Sequence, residues 1–211
     1  MTILIFDTET TGLPNFKERY DHPSQPRVVE LALIELDDEG QEITGQSWII
    51  KPDGWEIPEE AAKIHGITNE MAEVEGKPMK EVMQIMHEKV MRASRIVAHN
   101  FDFDRRLMIT ERHFCGMFDE SQPWGLREKS FCTMKESREI VKLPPSEKMM
   151  AAGRYDNKNP SLAEAYRFFM GEDFSESHRA LPDAYACMKV YLGIQKHRLE
   201  SQGFTVSNGG E

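Results

Sequence analysis

Residues 3–12 read ILIFDTETTG, four apolar side chains running into two acids one residue apart. The run Ile3, Leu4, Ile5, Phe6 is too short for a helix. It reads as a strand covered on both faces, hence a central strand of an α/β sheet. Alternation along a strand sends Asp7 and Glu9 to one side and Thr8 to the other. Two carboxylates at the end of a buried strand cost free energy unless positive charge lies between them. Hard oxygen donors of this kind suit a divalent cation such as Mg²⁺. The residues alone leave two other readings open. One is a strand-end pair facing solvent. The other is a phosphatase-type nucleophile, but that chemistry wants Asp rather than Glu two residues on, so Glu9 weighs against it. Thr10, Thr11 and Gly12 then read as a turn with spare backbone N–H groups.

The 211 residues suit one α/β domain over 1–200, with a disordered tail over 201–211. Cys115, Cys132 and Cys187 are odd in number and far apart, with no C-x-x-C spacing. A reduced, cytoplasmic protein is expected. Met1 leads at once into the first strand, so no signal peptide is expected, and no apolar run approaches the length needed to cross a bilayer. The net charge is −10, whereas a chain gripping long nucleic acid shows a basic face. Either the partner is not nucleic acid, or only a few phosphates are held, through metal and a local basic rim.

Along the chain, Leu13 to Arg27 is a polar loop with three prolines. Val28–Leu36 and Ile43–Ile50, joined by the turn 37–40, form an antiparallel hairpin. Short helices follow at Pro58–Ile64 and after Thr68, a good N-cap. Met79, Val82, Met83, Met86 and Val90 share one face of a helix over 78–91 and read as core. A short strand IVAHN leads into a helix from Phe103 to Phe114. Phe131–Thr133 is a last strand, running into a helix at Met134–Val141. Residues 143–159 read as a long mobile loop. Helices at Ser161–Phe169 and Pro182–Leu199 complete the chain.

Two later segments carry chemistry. In AHNFDFD an acid falls in the first turn of a helix after a strand, where the helix dipole stabilises it. Asp102 competes, but Asp104 follows the apolar Phe103 and lies near Leu107 and Met108 on the helix. In HRALPDA, Pro182 fits a first helical position and puts Asp183 in the first turn. His178, on a loop that can move, is then a candidate general base.

FDTETTGL, HGIT, AHNFDFD and HRALPDA, in this order over about residues 3–192, resemble the DnaQ-like 3′–5′ exonucleases of the DEDD type with a histidine base. Phe101, where a small residue is commoner, and Pro182 directly before Asp183 depart from the pattern, but neither removes a ligand. The resemblance implies a ribonuclease H-like three-layer α/β/α fold around a mixed five-stranded sheet. It implies two Mg²⁺ or Mn²⁺ ions held by Asp7, Glu9, Asp104 and Asp183, with His178 deprotonating the attacking water. Thr10, Thr11, Gly12 and Leu13 would hold the 3′ nucleotide, with His65 and Phe103 opposite and Asn100 in support. Arg105, Arg106, Arg154, Lys158 and Arg179 could form the basic rim. The expected partner is a nucleic-acid 3′ end, DNA ahead of RNA, with a polymerase or another replication or repair protein as a further candidate. The competing classes are an exoribonuclease and an idle nucleic-acid-binding module, whose expected mark is a missing ligand.

Overall fold

The computed structural model describes residues 1–119, 128–174 and 178–204. Its sheet comprises β1 (Thr2–Thr10), β2 (Val28–Leu36), β3 (Glu42–Ile49), β4 (Ala93–Ala98) and β5 (Ser130–Cys132), in the order β3-β2-β1-β4-β5. Only β2 runs against its neighbours; β1 pairs parallel with β4, and β4 with β5. The apolar run of β1 is thus central. All nine residues of β2 are buried, its two glutamates included, as in a strand covered on both faces.

Strand alternation divides the core into two layers. Leu4, Phe6, Leu31, Leu33 and Ile96 pack on one side against α3 (Met79–Arg92) and α4 (Phe101–Phe114). Ile5, Ala32, Ile34 and Val97 pack on the other against α7 (Leu162–Met170) and α8 (Ala180–Ser201), with α5 (Thr133–Val141) beside them. A smaller cluster seats α1 (Glu59–His65) and α2 (Asn69–Glu75) on Val29. This is the mixed five-stranded, three-layer arrangement expected from the sequence. Helices α7 and α8 approach closely at Gly193, where a Cβ would lie 2.8 Å from the Phe169 side chain.

Several boundaries differ from the sequence reading. Thr10 belongs to β1, and α4 starts at Phe101. Helix α8 starts at Ala180, so Pro182 is its third residue, not its first. First-turn amides have no intrahelical acceptor, so a proline there loses no bond. The expected loop 143–159 contains a helix, α6 (Glu147–Ala151), because Ser146 caps it by accepting from the Met149 amide at 3.3 Å. The loop 13–27 is pinned from inside. The Gln25 amide donates to the Asn15 and Arg19 carbonyls at 2.9 Å, and buried Arg106 donates to the Asn15 and Glu18 carbonyls. The tail expected from Ser201 begins inside α8, and residues 205–211 lie outside the described part. So do 120–127, within the stretch Gly116 to Lys129 that reads from the sequence as a loop, and 175–177, just before His178. The three cysteines are free. Among the described residues no helix is long and apolar enough to cross a membrane.

Candidate active site

Asp7 and Glu9 project from β1 toward the α8 layer. Asp183, in the first turn of α8, meets them there, and one carboxylate oxygen from each lies within 4.8 Å of the others. Burial pushes the Asp7 carboxyl well above its ordinary range, and Asp104, Asp183, Glu9 and Glu30 push it the same way. Burial also carries Glu9 to about 8, aided by Asp183, Glu30 and Asp104 and opposed by Arg179. Three hard oxygen donors that resist ionising together form a site that a divalent cation would relieve. The donor chemistry therefore fits the expected metal.

Asp104 reaches the site from the opposite layer. Thr8, the residue that alternation turns away from Asp7 and Glu9, donates its hydroxyl to Asp104 at 2.8 Å. Asp104 thus sits behind the strand, not in the group of three. Burial raises its carboxyl to about 7 against the pull of the Thr8 hydrogen bond. Its charge is still the largest electrostatic contribution to Asp7.

Two similar clamps hold the helices that carry these acids. Buried Glu30 receives Arg179 Nε and Nη2, both at 2.8 Å, and the Ala180 amide at 3.0 Å. Ser47 Oγ adds a fourth donor at 3.1 Å. Burial alone would raise the Glu30 carboxyl, but these donors hold it below its ordinary range. Buried Glu111, on α4, receives Arg27 Nε and Nη2 at 2.9 and 2.8 Å and the Val28 amide at 2.9 Å. Each glutamate therefore takes one arginine fork and the next backbone amide. One clamp fastens the start of α8, with Asp183, to β2; the other fastens α4, with Asp104, to the entry of β2.

His178 stands one residue before the Arg179 clamp. It is exposed, with φ at 48°, in the left-handed region that side chains other than glycine seldom adopt. Asn100, exposed at the N-cap of α4, is left-handed too, at φ 64°. Both bends lie directly before an acid-bearing helix.

A cleft of about 370 Å³ adjoins Glu9 and is lined by Thr10, Thr11, Gly12, Leu13, Ile64 and His65 among others. Leu13 is 84% exposed and Ile64 59%, so apolar side chains stand at its lips. The Thr10 hydroxyl donates to the Gly12 carbonyl at 2.8 Å, and the Thr11 hydroxyl accepts from the Arg27 amide at 2.8 Å. A Cβ at Gly12 would meet no protein atom within 4 Å. His65 Nδ1 accepts from the Ile67 amide at 3.1 Å, which leaves the proton on Nε2, buried and without an acceptor among the described residues. Burial keeps this ring neutral, lowering its pKa. Phe103 and Asn100 are not among the residues lining this cleft; Phe103, on α4, packs against the core. Phe101 is core as well, edge-on to Phe6 with ring centroids 5.8 Å apart, so its departure from the pattern does not shape the cleft.

Two of the five residues of the expected basic rim are taken up inside the protein, and the other three lie beside carboxylates. Arg179 is taken by Glu30, and Arg106 is buried under the 13–27 loop. Arg105 lies 3.7 Å from Asp102, Arg154 pairs with Asp156, and Lys158 with Glu164.

The exonuclease family model, RNase_T, matches residues 4–191. The chain belongs to this exonuclease family. It is the DnaQ-like family that the four motifs resemble, and the family is one of phosphodiester hydrolases. Among solved structures, the exonuclease-family chain is similar to E. coli exonuclease I in a zinc-bound complex with single-stranded DNA, at 20% identity and a TM-score of 0.67, covering 94% of this chain and 41% of that one. E. coli exonuclease I with a dT13 oligonucleotide gives 20% identity and 0.69, over 96% and 42%. A moderately thermophilic exonuclease I from Methylocaldum szegediense gives 20% and 0.69, over 94% and 41%. At this identity the likeness establishes the shared fold. The chain spans about two fifths of the length of these exonuclease I chains. No curated protein matches it.

Sequence reasoning missed Glu30 and Glu111. The signal for Glu30 was present: VVELALIEL is otherwise fit for full burial, so each of its two acids, Glu30 and Glu35, has to find donors. Glu111 carries no comparable signal, because an acid on an amphipathic helix is ordinarily solvated.

Proposed function

We propose that the chain is a 3′–5′ exonuclease that releases nucleoside monophosphates from a single-stranded or frayed DNA 3′ end. The observation that carries this reading is the convergence of Asp7, Glu9 and Asp183 within 4.8 Å beside a cleft with apolar lips, in a chain of the exonuclease family. DNA is favoured over RNA because the exonuclease I structures of similar fold include complexes with single-stranded DNA, dT13 and dA16.

Asp7, Glu9 and Asp183 would hold one Mg²⁺ or Mn²⁺ ion, and Asp7 with Asp104 would help hold a second. The bound ions would supply charge neutralisation at the scissile phosphate and acidify the attacking water. Thr8 keeps Asp104 turned toward β1. The 3′-terminal base would lie between Leu13 and Ile64, whose exposed side chains offer contact to any base. The Nε2–H of His65 is a donor for the terminal nucleotide, and Gly12 lets its backbone approach. His178 would take the proton of the attacking water. The Glu30–Arg179 clamp fixes the chain directly after His178 and so limits where the ring can go.

The test is a gel assay on end-labelled DNA and RNA of one sequence, in EDTA, Mg²⁺ or Mn²⁺, beside His178→Ala. A ladder that shortens from the 3′ end only with metal, and fades at least about 10²-fold in the variant, is expected. Full activity of Asp7→Ala would overturn the reading, and faster loss of the RNA would reassign the substrate.

A further inference from the structure

A second groove, of about 440 Å³, lies beside the first cleft and is lined by Arg27, Lys51, Asp53, Trp55, Lys80 and Phe114 among others. The two share a wall. Thr11 lines the first cleft and Arg27 the second, and these residues exchange two hydrogen bonds: Thr11 N–H to the Arg27 carbonyl at 2.9 Å, and Arg27 N–H to the Thr11 hydroxyl at 2.8 Å. Trp55 and Pro58, three residues apart on one connector, line the second groove and the first cleft respectively.

The groove combines planar groups with cations. The Arg27 guanidinium, locked by Glu111, lies 5.2 Å from the centre of the Trp55 ring and 4.5 Å from that of Phe114. The Phe114 ring is part-exposed and Trp55 half-buried. Lys80 is exposed and has no acidic partner among the described residues, while Lys51 makes a surface pair with Glu73 at 2.8 Å. Surface pairs of this kind are weak and exchange readily. Among the described residues, Asp53 is the one acid on the groove wall. Aromatic and guanidinium planes with adjacent lysines are what a single strand of nucleic acid uses, bases on the planes and phosphates on the cations. Of the five cations expected to serve the phosphates, Arg179 and Arg106 are taken up inside and the other three lie beside carboxylates, whereas Lys80 has no acidic partner among the described residues.

We propose that this groove is a subsite for single-stranded nucleic acid, holding nucleotides on the 5′ side of the terminal one. The assignment rests on the 3′ end occupying the Leu13–His65 cleft. Bases stack on the Trp55 and Phe114 side, Lys80 meets a phosphate, and Lys51 turns from Glu73 to a second. The Thr11–Arg27 pair separates this subsite from the terminal one.

The test compares the full chain with Lys80→Glu, Lys80→Arg and Trp55→Ala. The probes are a trinucleotide and a twelve-nucleotide single strand, as DNA and as RNA. The ratio of kcat/KM for the long strand to that for the short one is expected to fall at least about fivefold in Lys80→Glu and Trp55→Ala and to be kept in Lys80→Arg. Anisotropy of the labelled twelve-mer in EDTA is expected to show weaker binding. The salt dependence of that binding should flatten by about 0.7 in log–log slope for Lys80→Glu, the loss of one phosphate contact. A general loss through misfolding would lower both lengths alike and leave the ratio unchanged, which overturns the proposal, as does an unchanged binding slope. If the wild-type chain cleaves neither strand but binds the twelve-mer with a Lys80-dependent slope, the exonuclease reading fails and the subsite stands. If it cleaves both lengths with one kcat/KM in every variant, the subsite fails and the exonuclease reading stands.

Discussion

Nothing in the protein requires glycine at position 12: its φ is not left-handed and the space around its missing Cβ is open. Gly12→Ala is therefore expected to leave thermal stability unchanged or to raise it by up to about 1 kcal/mol. If a nucleotide backs onto this position, KM rises severalfold while kcat is kept, and steady-state kinetics beside a melting curve separate the two effects. Proton binding gives a second residue-scale outcome. Asp7 and Glu9 hold protons more tightly in the folded chain than in the unfolded one. Their contribution to stability is therefore full below their ordinary pKa values and is lost as pH rises, for Glu9 by about pH 8. In EDTA the melting temperature is expected to fall between about pH 4.5 and pH 8 from this source, and Asp7→Asn to raise it at the upper end. The increase on adding Mn²⁺ is expected to be larger at high pH, where fewer protons compete for the same oxygens.

At the scale of elements, the Glu30 clamp ties the start of α8 to β2. Glu30→Ala would leave the Arg179 guanidinium and the Ala180 amide without their acceptor. Breaking a buried pair in this way costs about 3–5 kcal/mol, and activity is expected to fall about 10–100-fold through Asp183 and His178. Glu30→Gln keeps an acceptor and is expected to lie between. A Glu30→Ala protein that melts like the wild type and cleaves at the same rate would remove the clamp from the account. Gly193→Ala is the contrasting case. Its Cβ would press on Phe169, lowering stability by about 1–3 kcal/mol without touching the site, so kcat/KM measured below the transition should hold. The elements carrying the acids were legible because each obeys a local rule. An apolar run ends in acids at β1, and an acid follows a strand at α4. A proline near a helix start precedes Asp183 at α8. The clamps were not legible. They join residues 84 and 149 positions apart, and neither periodicity nor spacing reports on such contacts. The pairing of the rim cations was not legible for the same reason, since a sequence shows cations but not the carboxylates beside them.

For the whole molecule, the charge of −10 and the internal pairing of its arginines imply a small electrostatic footprint. If the chain holds two or three phosphates, the log–log slope of binding against salt is expected to be about −1.4 to −2 for a single strand. A slope several times steeper would mean a long basic track absent from the described surface. The three-layer order of the fold was legible through the resemblance of the four motifs, and the succession of strand, hairpin, helices, strand and helix agrees with it. The depth of Asp104 behind β1 was not, because it depends on which side of the strand α4 occupies. Alternation at Thr8 explains it once that side is known.

Because Glu111 takes the arginine–amide pair at 27–28 and Glu30 takes the one at 179–180, both acid-bearing helices are latched to one four-residue stretch, 27–30. The later latch closes a span of 149 positions. During synthesis, Asp7, Glu9 and Asp104 all leave the ribosome long before Arg179 and Asp183. A chain interrupted before Arg179 would carry three of the four acids and no assembled centre. The centre would therefore assemble only once residues 179–183 had been made, and a chain broken off before them would lack it.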